Sequence, residues 1–268
     1  MPTDQKNQTA RPKPVALFIS DLHLQAEMPA TTAAFLSFLK QHARYAQQLY
    51  LLGDIFEYWA GDDDIDSPFV QRIVRALKGV SDAGVELFWI AGNRDFLVGK
   101  EFAAATKATI LADPHILDYA GQRYLISHGD QLCTDDLAYQ QFRAQVRQPE
   151  WQAAFLARPL EERKAMIANM RLQSKLHQQQ ATVITDVNQQ AVDQFFTDHQ
   201  AHILIHGHTH RPALHREKDT RRYVLSDWDQ DTNHGQNQRH APPRGDWIAL
   251  LADGSLQRYS YAGMPTED

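Results

Sequence analysis

What constrains this chain most is a pattern that occurs five times: a short, mostly apolar run, three to seven residues long, that stops abruptly at a polar residue able to bind a metal. Residues 15–19 run into Asp21 and His23, residues 48–52 into Gly53-Asp54, and residues 85–91 into Gly92-Asn93. Residues 124–127 run into His128-Gly129-Asp130, and residues 203–205 into His206-Gly207-His208-Thr209-His210. Runs this short, bounded by Pro, Gly or Asp, read as buried strands rather than helices. Between the first two, Thr31 or Thr32 is placed to cap a helix in which Phe35, Leu36, Phe38, Leu39 and Ala43 share a face, and residues 69–77 supply another amphipathic segment before Gly79. Strand and helix alternate, which predicts an α/β fold. Open α/β sheets build their sites at the carboxyl ends of strands, so the five polar junctions are expected to meet.

The donors at those junctions are carboxylates, imidazoles and one amide, with no thiolate. That mix suits a hard divalent cation such as Mn²⁺ or Fe²⁺ and leaves zinc open. Glycines beside Asp54, Asn93, His128 and His208 permit the tight turns that bring short side chains onto a cation. Taken singly each junction is weak, because an Asp-x-His pair or a Gly-Asp pair is common by chance. Cys133, with no base near it in sequence, reads as a spectator thiol. Asp62, Asp63, Asp64 and Asp66 read as a cation loop or as a solvated acidic turn. Of the 13 histidines, His199, His202, His215, His234 and His240 fit no ligand slot, and His206 is at most a partner behind the ligands.

With 27 basic and 33 acidic residues in 268, the net charge of −6 offers no general attraction to nucleic acid. The apolar runs fall far short of the ~20 residues that span a bilayer. A single cysteine makes no internal disulfide, which fits a reducing compartment. Residues 1–14 read as a flexible extension, residues 15–133 and 181–262 as the core, and residues 134–180 as a helical insertion with Pro149 and Pro159 at its joints. From residue 137 to 180 the insertion carries seven basic residues against three acidic ones. This is either a solvated helix face or a cap that meets an anionic substrate or membrane surface. Toward the C-terminus, residues 223–225, 247–251 and 256–261 read as a hairpin and neighbours added to a sheet, with a turn at Asp253-Gly254.

In their order along the chain, the junctions resemble the calcineurin-like metallophosphoesterase pattern of D-x-H, G-D, G-N-H-E, H and G-H-x-H over most of residues 15–211. The resemblance implies a four-layer αββα sandwich with a helical cap insertion and a two-metal site. Asp21, His23, Asp54 and His210 would surround one cation, and Asp54, Asn93, His128 and His208 the other, with Asp54 bridging. Where the general pattern has a histidine after the asparagine, this chain has Arg94 followed by Asp95. Arginine stays protonated and cannot deliver a proton to a departing alkoxide, but it can grip phosphate oxygens. The substitution makes sense for a leaving group that is itself a phosphate, and so for an anhydride rather than a simple ester. The other reading of Arg94 is a structural salt bridge with Asp95.

Residues 53–64, 92–96, 127–136 and 206–212 look like the UDP-2,3-diacylglucosamine diphosphatases of lipid A biosynthesis, and residues 139–143 and 170–175 fall where that family has its helical cap. This implies hydrolysis of the substrate to UMP and 2,3-diacylglucosamine 1-phosphate (lipid X), by water attacking the α-phosphorus with two Mn²⁺. It implies catalytic roles for Asp54, Asn93, Arg94 and His208, and substrate contacts from Asn93, Arg94, Asp136, Ser174, Gln178 and His208. It also implies peripheral work at the cytoplasmic face of the inner membrane, with no nucleic acid or protein partner. The chain departs from the family at Gln178 and Ala181, where the family has asparagine and lysine, so Lys175 or another basic residue would supply a contact. Leu132, Tyr139, Phe142, Trp151, Phe155 and Met166 are candidates to line an acyl-chain cleft. Two other readings stay open at this point: a metal-dependent phosphodiesterase or pyrophosphatase acting on a soluble nucleotide, and a non-catalytic module that keeps the fold.

Overall fold

A computed structural model of the protein describes residues 13–180, 186–231 and 242–266, with the side chains of 173–180 outside the description. Ala181, His234, His240 and the first twelve residues therefore lie outside the described residues, as do the side chains of Ser174, Lys175 and Gln178. In chain order the elements are β1 (Ala16–Ile19), α1 (Pro29–Gln41), β2 (Gln48–Leu51), α2 (Pro68–Asp82), β3 (Glu86–Ile90), α3 (Lys100–Thr106), β4 (Ala108–Leu111), β5 (His115–Tyr119) and β6 (Gln122–Ile126). There follow α4 (Leu137–Val146), α5 (Pro149–Leu156), α6 (Leu160–Gln180), α7 (Gln189–His199), β7 (Ile203–His206), β8 (Ala213–Glu217), β9 (Thr220–Val224), β10 (Asp246–Leu250) and β11 (Leu256–Ser260).

The strands form two sheets, one of six in the order β11-β10-β1-β2-β3-β4 and one of five in the order β5-β6-β7-β9-β8. Both faces of the central strands are buried, which is why their sequences are apolar without alternation. In the first sheet Phe18, Tyr50, Ile90, Ile248 and Leu250 face inward and meet Tyr124, Ile126, Ile203, Ile205 and Tyr223 of the second. Leu17, Ile19, Leu49, Leu51, Leu87 and Trp89 point the other way, into Phe35, Phe38, Ile73, Leu77 and Phe102 of α1, α2 and α3. Behind the second sheet, Leu125 and Leu204 pack on Val192, Phe195 and Phe196 of α7. Helix, sheet, sheet and helix make the four expected layers.

Several local readings change. Helix α1 begins at Pro29, a favoured first-turn residue, so Thr31 and Thr32 lie inside it; their hydroxyls bond Asp231 and the Met28 carbonyl instead of capping. The three C-terminal runs do not share a sheet: β10 and β11 extend the first sheet beside β1, whereas β9 stands between β7 and β8 in the second.

The acidic loop after β2 is solvated only in part: Asp63 and Asp66 are exposed, while Asp62 and Asp64 are partly covered. Asp62 accepts hydrogen bonds from the Trp59 indole and from the backbone N–H groups of Gly99, Glu101 and Phe102, closing the start of α3. Asp63 and Asp64 pair with Arg163 and Lys164 of α6. The insertion's positive charge is directed at the core in the same way. Arg143 and Arg147 reach Asp130 and Arg171 reaches Glu57, whereas Arg158, between α5 and α6, pairs at the surface with Glu162 of the insertion itself. Among the described residues, then, all of these cations except the exposed Arg158 hold the insertion down.

The apolar candidates for an acyl cleft also divide. Leu132 belongs to the core under α7, while Trp151, Phe155 and Met166 pack on the helical side of the first sheet. Phe142 is exposed, as are Leu137, Leu156 and Leu172 on the same insertion.

Arg163 is the most deeply anchored of the insertion's cations among the described side chains. It is 1 % exposed and donates to the carbonyls of Ala60 and Arg158 as well as to Asp63. Arg163→Ala leaves these acceptors unpaired, and is expected to lower unfolding stability by about 3 kcal/mol. It should also open residues 134–180 to limited proteolysis; a melting curve and digestion pattern like the parent's would contradict this anchoring role.

Candidate metal centre

Strands β1, β2 and β3 run parallel in one sheet and β6 and β7 run parallel in the other. The loops leaving their carboxyl ends continue the pairing: Asp21 N–H donates to the Gly53 carbonyl, His23 N–H to the Asp54 carbonyl, and Gly207 N–H to the His128 carbonyl. This brings the candidate ligands from two sheets into one cluster. Donor atoms of Asp21, His23 and His210 lie within 4.8 Å of one another, and so do those of Asp21, Asp54 and His128. Asp54 turns Oδ1 toward His128 Nε2 at 3.8 Å and Oδ2 toward His23 Nε2 at 4.0 Å, so it too faces both groups. Asn93 Oδ1 is 2.9 Å from His128 Nε2 and 3.0 Å from His208 Nδ1.

The backbone explains how short side chains achieve this. Asp21, His23, Asp54, His208 and His210 have φ between 49° and 68°, and they make up five of the nine non-glycine residues with positive φ among the described residues. Asp and His tolerate the left-handed region better than most residues, but each still stores strain that the surroundings must hold. Two glycines make room. A Cβ on Gly207 would run into Asp21 Oδ2 and Ser20 Oγ, and one on Gly92 into Asp54 Oδ1.

The donor set fits divalent cations. His23 Nε2 and His210 Nε2 face each other at 3.2 Å, with carboxylates on the far side of both rings: Glu57 is 3.0 Å from His23 Nδ1 and Asp227 is 3.7 Å from His210 Nδ1. Those carboxylates favour hydrogen on Nδ1, leaving two Nε2 lone pairs aimed at the same place, which a cation would satisfy. Asp21 Oδ1 is likewise buried without a hydrogen-bond partner.

Charge in the pocket is compensated by protons. Burial works against protonation of His128, but the charges of Asp54, Asp21 and Asp130 outweigh it and raise its pKa to about 9. Burial pushes the Asp21 carboxyl up, but the His210 hydrogen bond and the charges of His210, His128 and His23 hold it well below the usual range. His208 is lowered to about 4 by burial and by the neighbouring charge of His128.

Arg94 lies beside this cluster, its N–H donating to Asp54 Oδ1 at 2.8 Å. Asp95 is engaged elsewhere, accepting from the N–H groups of Gly92, Ile55 and Phe56, and Arg94 Nε is buried with no hydrogen-bond partner among the described residues. Asp136 caps α4 by accepting from Tyr139 N–H. His206 is buried behind the ligand loop, bonded to the Gly207 carbonyl and to Arg222. Cys133 is buried, and burial together with nearby aspartates, Asp130 first, pushes its thiol up to about 12.

Two residues near the site carried no assignment from sequence: Glu57 lay inside a quoted motif without a role, and Asp227 follows β9 in a stretch with no motif. Tyr139, a candidate for the acyl-chain cleft, instead stacks on His208 with ring centres 5.9 Å apart and donates its hydroxyl to Asp130. For Asp227 the signal available was its place at a strand's carboxyl end.

A model of the family described as calcineurin-like phosphoesterase matches residues 15–212. The protein named UDP-2,3-diacylglucosamine hydrolase from Aromatoleum aromaticum is 48% identical over 233 residues, covering 85% of this chain and 95% of its own length. Proteins of that name from Escherichia coli O7:K1 and Serratia proteamaculans are 51% and 50% identical over 217 residues, each covering 79% of this chain and 90% of its own.

Two pH effects follow from His128. Its folded pKa exceeds the ordinary 6.5, so in metal-free protein it adds stability that is complete below 6.5 and is lost as pH rises through about 9. Melting temperature of the metal-free protein is expected to fall across that window. Mn²⁺ must displace the same proton, so its affinity should rise with pH up to about 9, with proton release visible by calorimetry in buffers of different ionisation enthalpy. Binding that is pH-independent across the window would contradict the His128 assignment.

Proposed function

The chain belongs to the calcineurin-like phosphoesterases and, within them, to the UDP-2,3-diacylglucosamine hydrolases, and from that premise we propose that it hydrolyses the pyrophosphate bond of UDP-2,3-diacylglucosamine to UMP and 2,3-diacylglucosamine 1-phosphate. The observation that carries the chemistry is the convergence of Asp21, His23, Asp54, Asn93, His128, His208 and His210 beside an arginine whose Nε has no partner. These residues would hold two divalent cations, in this reading Mn²⁺, which would supply Lewis acidity and lower the pKa of a bound water. Asp54 presents one oxygen to each side of the centre, and Asn93 ties His128 to His208. Arg94 offers a fixed positive charge to phosphate oxygens as the bond to the α-phosphorus breaks. The departing group is a phosphate monoester that needs no proton at neutral pH, so a residue unable to act as an acid suffices.

Residues 134–180 are the substrate cap in this reading. Asp136 at the start of α4 and Ser174 and Gln178 on α6 contribute to binding. A lipid-linked substrate makes the enzyme a peripheral protein at the cytoplasmic face of the inner membrane. No helix among the described residues is long and apolar enough to cross a membrane.

UMP release from UDP-2,3-diacylglucosamine should require added Mn²⁺ after chelation; metal-independent release, or none with metal, would sink the assignment. Asp54→Ala is expected to lose more than roughly 100-fold in turnover, beyond the cost of an outer-shell change, with the fold intact by circular dichroism. Arg94→His should raise hydrolysis of a phosphodiester such as bis(p-nitrophenyl) phosphate relative to the anhydride. An unchanged ratio would show the leaving-group argument to be wrong.

A further inference from the structure

Among the contacts that the insertion makes with the ligand-bearing loops, one reaches a ligand's own ring through a carboxylate. Glu57, on the loop after β2, stands between the two modules: Oε2 is 3.0 Å from His23 Nδ1, and Oε1 accepts from Arg171 Nη2 of α6. The His23 N–H direction misses the oxygen, so the pair acts here through charge. The side chains of Glu57 and Arg171 are 14% and 33% exposed, so neither is bathed in solvent. The Arg171 guanidinium also lies over the ring of Tyr58, 5.7 Å from its centre, which fixes it against the same loop. On the opposite ligand, Asp227 is bound by Arg244 through Nε and Nη2, and Arg244 is part of the core rather than of the insertion. Both exposed-side histidines therefore have an arginine-held carboxylate behind them, and only His23 has an arginine that comes from the insertion.

A carboxylate behind a ligating histidine fixes the ring tautomer and strengthens the other nitrogen as a donor, and its loss typically costs 10–100-fold in metal affinity. We propose that Arg171 and Glu57 are positioning residues through which the seating of the insertion sets the cation affinity of the Asp21/His23/His210 cluster. The proposal rests on reading that cluster as a cation site and adds a control to it. With α6 seated, Arg171 holds Glu57 toward His23; with α6 lifted, Glu57 is free to turn away and the cluster binds its cation more weakly.

The test is titration of the full chain with Mn²⁺ alone, without substrate, followed by calorimetry or by the electron paramagnetic resonance of free Mn²⁺. Two ions are expected on the parent protein. Arg171→Ala and Glu57→Gln should each weaken one of the two by roughly 10–100-fold, the double variant should be no weaker than Glu57→Gln, and Arg171→Lys should recover part of the loss. Lys107→Ala, which removes a pair with Asp82 inside the core and none that seats α6, should leave both affinities unchanged. The relay is overturned if Arg171→Ala keeps both affinities, including when its KM rises, since Arg171 would then serve substrate only. It is equally overturned if Lys107→Ala weakens the same ion as much. Fewer than two ions on the parent protein overturns the cation-site reading itself, a result distinct from either.

Discussion

A side chain as short as that of Asp or His can reach back across the end of its own strand only if the backbone reverses at once, and the left-handed conformation is the tightest way to do so. The rest of the centre depends on this. Asp21, His23, Asp54, His208 and His210 all adopt it, and Asp and His are among the few residues besides glycine that do so readily. The small residues at Gly92 and Gly207 follow as a second requirement, since a reversed chain brings a neighbouring carboxylate onto their Cα positions. Two sheets supplying parallel strand ends to one place are a third, because no single sheet carries all seven donors.

Electrostatics then links the centre to the insertion. The pocket holds Asp21, Asp54 and, just behind them, Asp130, and in metal-free protein a protonated His128 answers part of that charge. Arg143 and Arg147 answer more of it from α4 and its end, Arg147 also donating to the carbonyls of Ala91 and Gly92 beside Asn93. The insertion is thus seated on the same acidic rim that surrounds the ligands. Much of its positive charge, suggestive of an anionic surface when counted along the sequence, is engaged within the molecule, and it turns outward the apolar side chains Leu137, Phe142, Leu156 and Leu172 beside charged ones such as Arg158 and Glu161.

The central strands and their junctions were legible because burial on both faces leaves an unbroken apolar run, and a polar residue ending such a run is conspicuous. Strands β4, β5 and β8 were not, for the opposite reason. They are edge strands, partly exposed along most of their length, and residues such as Thr109, His115 and Arg216 break any run. That the ligands belong to two sheets was also hidden, since a strand's sequence says how buried it is and not which neighbour buries it. Among residues around the site, the candidate ligands stood out by their place after apolar runs, whereas Glu57 and Asp227 face a ring's far nitrogen and leave no such trace. The partners of the basic insertion were hidden for a related reason: Asp63 and Arg163 are 100 positions apart, and charge counting along a chain has no knowledge of where the opposite sign lies in space.

The three consecutive aspartates after β2 show how finely this arrangement is indexed. Asp62 is turned inward to close a helix of the core, and the next two are turned outward to hold the insertion, so chemically identical neighbours have jobs that differ only by position. Substituting one of them removes one function, but deleting or inserting a single residue there moves every carboxylate onto its neighbour's task. A loop that looks tolerant in composition is therefore intolerant in length, and related chains should vary in the identity of these residues far more readily than in their number.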